Sequence, residues 1–244
     1  MPFLDHLDEL RRVLLSSLAA ILLCAIVAWA FSGRVLEHVV QTNVGEAQFL
    51  RPMEAFNSRL KVSLLLGTVA ALPFVSFQLW SFIVPGLMRH ERRIVLPIVT
   101  ASTVLFLGGM AFSYLVLTPI MLQMLVGMGT EHLKANIAVE PLIDFVLKLA
   151  FGAGILFQLP LVILILTSLR IVSARWVWSK WRHAIVIILI IAAVVTPGDG
   201  PSQLVLAAPI LVLYFLSAMT ASIIEAVRRP RKDGGRDAGR KETP

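Results

Sequence analysis

The carboxylates of Glu9, in HLDELRR, and Glu91, in PGLMRHERR, each stand among arginines at the edge of a long apolar run. Taken singly, either acid reads as a charge compensating its neighbours Arg11, Arg12, Arg89, Arg92 and Arg93. Taken together, two carboxylates on one face of a membrane could receive two guanidinium groups, because Arg–carboxylate pairs are planar and often bidentate. A third candidate is Gln158, inside the apolar stretch LFQLPLVIL, where a polar side chain surrounded by lipid needs a partner. It could bond to a neighbouring helix, with Gln78 as one possible partner, or form a polar patch for a partner helix or water. Asp199 and Gln203 flank the breaker-rich turn TPGDGPSQ.

Signals of catalysis are mostly absent. His6, His38, His90, His132 and His183 lie outside or at the ends of apolar runs, and none forms a ligand pair at i, i+4. There is no Gly-x-Ser-x-Gly and no phosphate loop, and Asp199 has no second intramembrane aspartate to form a dyad. No metal site and no cofactor are expected. The one cysteine, Cys24, reads as packing.

The elements that must position these groups follow from composition. Of 244 residues, 57% are hydrophobic and 15% charged, against about 25% charged in a soluble domain. Mean hydropathy is +0.83. The apolar residues fall in runs near the roughly 20 residues that a bilayer requires. The chain therefore reads as an all-α membrane protein with six spans, over 13–31, 62–84, 94–117, 143–169, 184–196 and 204–224. One domain covers 1–226, followed by a disordered basic tail, 227–244. The start, RRVLLSSLAAILLCAIVAWAFSG, is similar to a cleaved signal peptide, but its apolar run exceeds the 7–15 residues of such a segment and acids precede it, so a retained span is expected.

Lys and Arg total 22, and sixteen of them fall on one side of this arrangement: the N-terminus, second loop, fourth loop and tail. By the positive-inside rule both termini are cytoplasmic. The net charge of +7 is thus a membrane-topology signal and does not point to nucleic acid. The fifth run, AIVIILIIAAVV, is only about 18 Å long as a helix, against a hydrocarbon core of about 30 Å. Pro73 and Pro160 should kink their helices, while Pro97 is placed in the first turn of span three, where proline is tolerated.

HLDELRRVLL, PMEAFNSRLKVSLLLG, QLWSFIVPGLMRHERR, FQLP and TPGDGPSQ, in that order from about residue 4 to 225, resemble the TatC family, the multispanning subunit of the twin-arginine protein translocase. That resemblance implies six helices in a concave, glove-like bundle with two short C-terminal helices, in the inner membrane. It implies a non-catalytic receptor for twin-arginine signal peptides on folded cargo, driven by the proton-motive force. Glu9 and Glu91 match acids that contact the paired arginines, with Arg11, Phe82 and Pro85 nearby. Glu54 and Phe56 match an outer loop that contributes to assembly. Gln158 occupies an intramembrane polar position where many relatives carry Glu. Asp199 and Gln203 match a turn near which small single-span partners, the A-type and B-type subunits, dock. Membrane lipid and further copies of the chain are the other expected partners. The rival class, a small-solute or ion transporter, would want charged or unwound segments near mid-membrane, where this chain is nearly all apolar.

Overall fold

Bilayer-length apolar runs become helices because a lipid environment offers backbone groups no partner but each other. The computed structural model describes residues 2–83, 92–127, 137–168, 171–195 and 200–228. Its helices are α1 (Pro2–Asn43), α2 (Glu54–Ile83), α3 (Arg92–Phe112), α4 (Thr118–Gly127), α5 (Val139–Leu156), α6 (Leu159–Ser168), α7 (Ala174–Ser179), α8 (Trp181–Val195) and α9 (Gly200–Arg228). A π-helical turn, Ser113–Leu117, joins α3 to α4. Five passages are long and apolar enough to cross a membrane: α1, α2, α3 with α4, α5 with α6, and α9. α8 is apolar but shorter than these five.

Successive passages run antiparallel. Ala25 of α1 meets Gly67 of α2 so closely that a Cβ on Gly67 would lie 2.5 Å from the Ala25 nitrogen. Across the next interfaces Ser76 faces Ser102, and a Cβ on Gly109 of α3 would lie 2.7 Å from the Ala153 carbonyl oxygen of α5. Small residues at such crossings let helix backbones approach where lipid gives no hydrophobic drive to pair. The end bearing His6 and Phe82 is called the basic face below, and the other end the outer face.

Three clusters form the interior. One joins Leu117 and Met121 to Leu149 and Ala153 of α5, Ile188 and Ala192 of α8, and Leu206 and Ile210 of α9. A second, toward the outer face, gathers Val39, Val62, Leu122 and Ile143. A third, toward the basic face, packs Trp80 on Val99, Leu161 and Ile165. Large apolar side chains such as Leu23, Ile26, Leu96 and Val194 point outward, as on a surface whose solvent is acyl chain.

Several expectations change. The last helix is not short: α9 has 29 residues, and only α8, at 15 residues, is. α1 continues well past both ends of its apolar run, to 42 residues, or about 63 Å, because a helix does not stop where the hydrocarbon does. Pro97 lies inside α3 near the start of its described part, without ending it. Pro73 lies inside α2 without ending it. Pro160 does mark a break, since α5 ends at Leu156 and α6 begins at Leu159. With no N–H, Pro160 cannot donate to the Leu156 carbonyl.

Candidate functional site

On the basic face, α1 presents its N-terminal motif to the end of α2. The His6 ring stacks on Phe82, with centroids 4.4 Å apart and planes 10° from parallel. His6 and Glu9 lie three residues apart on one helix face, with His6 Nδ1 3.8 Å from Glu9 Oε2. Glu9 is about half exposed, so one carboxylate edge faces outward. Arg11 is exposed too, and with Asp8, Arg12, Leu15 and Ser16 lines an open hollow of about 480 Å³. The structure thus brings Glu9 and Phe82 together through His6, a residue not singled out in the sequence. Glu91 and Pro85 lie outside the described residues, as does Asp199.

At the α5–α6 break, between apolar helices, Gln158 is half-buried against α3. Its Nε2 donates to the Ser102 carbonyl at 2.8 Å, and its Oε1 accepts from Ser102 Oγ at 3.2 Å. Ser102 Oγ also lies 3.2 Å from Ser76 Oγ. A polar chain therefore links α2, α3 and the break. Gln158 uses α3 as its partner in place of Gln78. Gln158 also takes part in the break's backbone bonds, with its N–H on Ile155 and its carbonyl accepting from Val162.

The outer face is tied by charges. Lys61 Nζ lies 2.8 Å from Glu140 and 2.6 Å from Asp144, two acids at i, i+4 on α5. Glu54 is buried, 4% exposed, and its Oε2 accepts from the Leu50 N–H at 3.0 Å. Phe56 stands half exposed with its ring 5.6 Å from Trp29. Over that indole lies the Arg59 guanidinium at 5.1 Å, within cation–π range. Gln48 and Ala138 pair in a single parallel bridge that joins the two outer loops.

Toward the turn between α8 and α9, Gln203 Nε2 donates to the Leu189 carbonyl at 2.8 Å. Gln203 therefore fastens α9 to α8. Among the described residues no group of three or more His, Cys, Asp or Glu is placed to hold a metal ion. Sequence reasoning missed the Lys61–Glu140–Asp144 network and the serines that hold Gln158. The i, i+4 acids were a visible signal for the first, whereas serines in a span carry none.

Comparison with known proteins bears on this arrangement. The family model described as Sec-independent protein translocase protein (TatC) matches residues 5–209. A Sec-independent protein translocase protein TatC from Koribacter versatilis is 35% identical, with 98% of this chain and 91% of that protein covered. One from Carboxydothermus hydrogenoformans is 32% identical, over 92% and 94%. A crystal structure of the twin-arginine translocase receptor TatC superposes with a TM-score of 0.79 at 32% identity, covering 90% of this chain and 99% of that one. With a family model matched over residues 5–209 and relatives more than 30% identical over nearly the whole length, this chain belongs to the TatC family.

Proposed function

We propose that this chain is the receptor and core subunit of a twin-arginine translocase, binding the paired arginines of a signal peptide at its basic face. The observation that carries the reading is the seating of Glu9 beside Phe82 by His6. It sets a half-exposed carboxylate at the end of α2, where the segment bearing Pro85 and Glu91 begins. Glu9 accepts one guanidinium and Glu91 the other, and Arg11 borders the site. An arginine fork satisfies a carboxylate with two parallel N–H donors, whereas lysine offers a single point charge. Spacing of two acids therefore discriminates where attraction alone would not.

The remaining parts of the reading follow the same logic. The six passages form a concave, glove-like bundle in the inner membrane, with both termini cytoplasmic, as the distribution of Lys and Arg supports. Residues 1–226 act as one domain, and 227–244 form a basic tail. A-type and B-type single-span subunits dock near α8 and α9, where Asp199 and Gln203 border the turn. The roughly 22 Å length of α8 favours local thinning of the bilayer there. Gln158 supports the same polar region. Glu54 and Phe56 shape an outer loop used in self-association. Transport is powered by the proton-motive force and needs no cofactor. A translocase acts without covalent chemistry, and family membership favours it over a small-solute carrier.

The test is site-specific photocrosslinking of a twin-arginine peptide to the chain in membranes. Wild type is compared with Glu9→Ala, Glu91→Ala and the double variant, each also against a peptide with both arginines changed to lysine. Loss of the adduct in the variants and with the lysine peptide supports the receptor. An unchanged adduct in the double variant at equal expression sinks it.

A further inference from the structure

α7 is a six-residue helix held flat against α9 by three bonds. The Ala174 N–H donates to Glu225 Oε2 at 2.9 Å, Trp178 Nε1 donates to Ser222 Oγ at 3.0 Å, and Tyr214 donates its hydroxyl to the Val177 carbonyl at 2.7 Å. Anchored there, α7 holds α6 and α8 apart and leaves a cavity of about 380 Å³ between them. Its walls are apolar: Ile163 and Leu166 from α6, Val177 from α7, Ala184 and Ile187 from α8. Lys180 and His183, both exposed, are the basic groups that line it.

Three features of the surroundings identify the occupant. Trp176 lines the cavity, and Trp178 and Trp181 are exposed on the same short segment; tryptophan concentrates at the headgroup level of a bilayer. Arg175 and Arg182 are exposed within five residues of Lys180 in the sequence, with the Arg182 guanidinium 5.5 Å from the Trp181 ring centre. No Asp or Glu occurs between Ile171 and Val195, and Glu225, packed against this stretch from α9, is engaged by the Ala174 N–H. The mouth is therefore positive and the interior apolar. A helix about 10–12 Å across with its side chains would use up about 380 Å³ in less than one turn, whereas a single acyl chain is slender enough to extend along it.

The geometry points to a binding site for one anionic phospholipid on the basic face, its acyl chain in the slot between α6 and α8 and its phosphate at Lys180 and Arg182. This site is separate from Glu9 and does not depend on signal-peptide recognition. Bound lipid would fill the gap that α7 props open and so fix the angle between α6 and α8.

The full chain would be reconstituted in phosphatidylcholine nanodiscs doped with phosphatidylglycerol that carries a photoreactive group on its acyl chain. A parallel set would carry the same group on phosphatidylcholine. Adducts on the Ile163–Leu166 and Ala184–Ile187 segments, several-fold richer for phosphatidylglycerol, are expected. Lys180→Gln with Arg182→Gln should reduce that excess roughly fivefold for each charge removed, and Ala184→Trp should block labelling by both lipids. Circular dichroism and a melting curve would establish that each variant is folded, and Ala184→Leu would replace the tryptophan variant if that one is not. Equal labelling by the two lipids would mean annular contact only and overturn the site. So would labelling indifferent to the charge variants, or a photoreactive residue at Ile187 that captures a protein rather than lipid in native membranes.

Discussion

The two ends of this molecule are built differently. At the outer face, loops and helix starts are cross-tied: Lys61 joins two α5 acids, Glu54 is buried on a backbone N–H, Arg59 lies on Trp29, and Gln48 bridges to Ala138. At the basic face, the ion-pair contact of Glu9 among the described residues is a long one, 3.8 Å to His6, and both side chains are about half exposed. Charges that brace a fold are used up by partners inside it. Charges that receive a ligand keep part of their hydrogen-bonding capacity open. On that ground the outer end is a clamp, and the proposal of a receiving basic end rests on the contrast with it.

The largest effect that would test this contrast is on recognition. Glu9→Ala should weaken peptide binding by about 2 kcal/mol, roughly thirtyfold, and leave the melting temperature unchanged. A fall in stability without a fall in binding would make Glu9 a brace as well. Gln158→Leu removes two hydrogen bonds to Ser102 at the helix break, and denaturation in detergent should show a loss of about 1–2 kcal/mol. Little change would mean that the break is held by Pro160 and packing alone. Lys61→Met should lower stability by about 1 kcal/mol, a modest figure because the lysine is about a third exposed, with peptide binding intact. A double-mutant cycle with Glu140→Gln would show whether that loss belongs to the pair. The smallest effect is Phe82→Leu, which removes the ring under His6. About 0.5–1 kcal/mol of aromatic interaction is lost, and it should appear in peptide affinity more than in melting.

How far the sequence could be read differs from residue to residue. The five long passages were legible, because an apolar run of bilayer length has few alternatives. So was the brevity of α8, which needed only a residue count. The ends of α1 and α9 were not, since hydropathy marks where lipid stops and the helix continues on its own backbone hydrogen bonds. Glu9 and Phe82 were legible as site candidates through family motifs, but His6, the residue that joins them, was not. Gln158 was legible as polar and out of place, while its partner on α3 was not. Ser102 looks like any other serine in a span until a helix break is set beside it.

The sequence by itself determined that this chain lies in a membrane, where its apolar runs fall, and which family it belongs to. Partition into lipid is summed locally along the chain, and motifs are read in order, so neither needs a neighbour in space. Only the tertiary structure decided how polar groups are engaged: Lys61 between two acids, Gln158 on Ser102, Glu225 on the α7 N–H, and Glu9 half exposed beside His6. A hydrogen bond exists only where two helices bring donor and acceptor within about 3 Å, and that distance depends on packing between segments far apart in the chain.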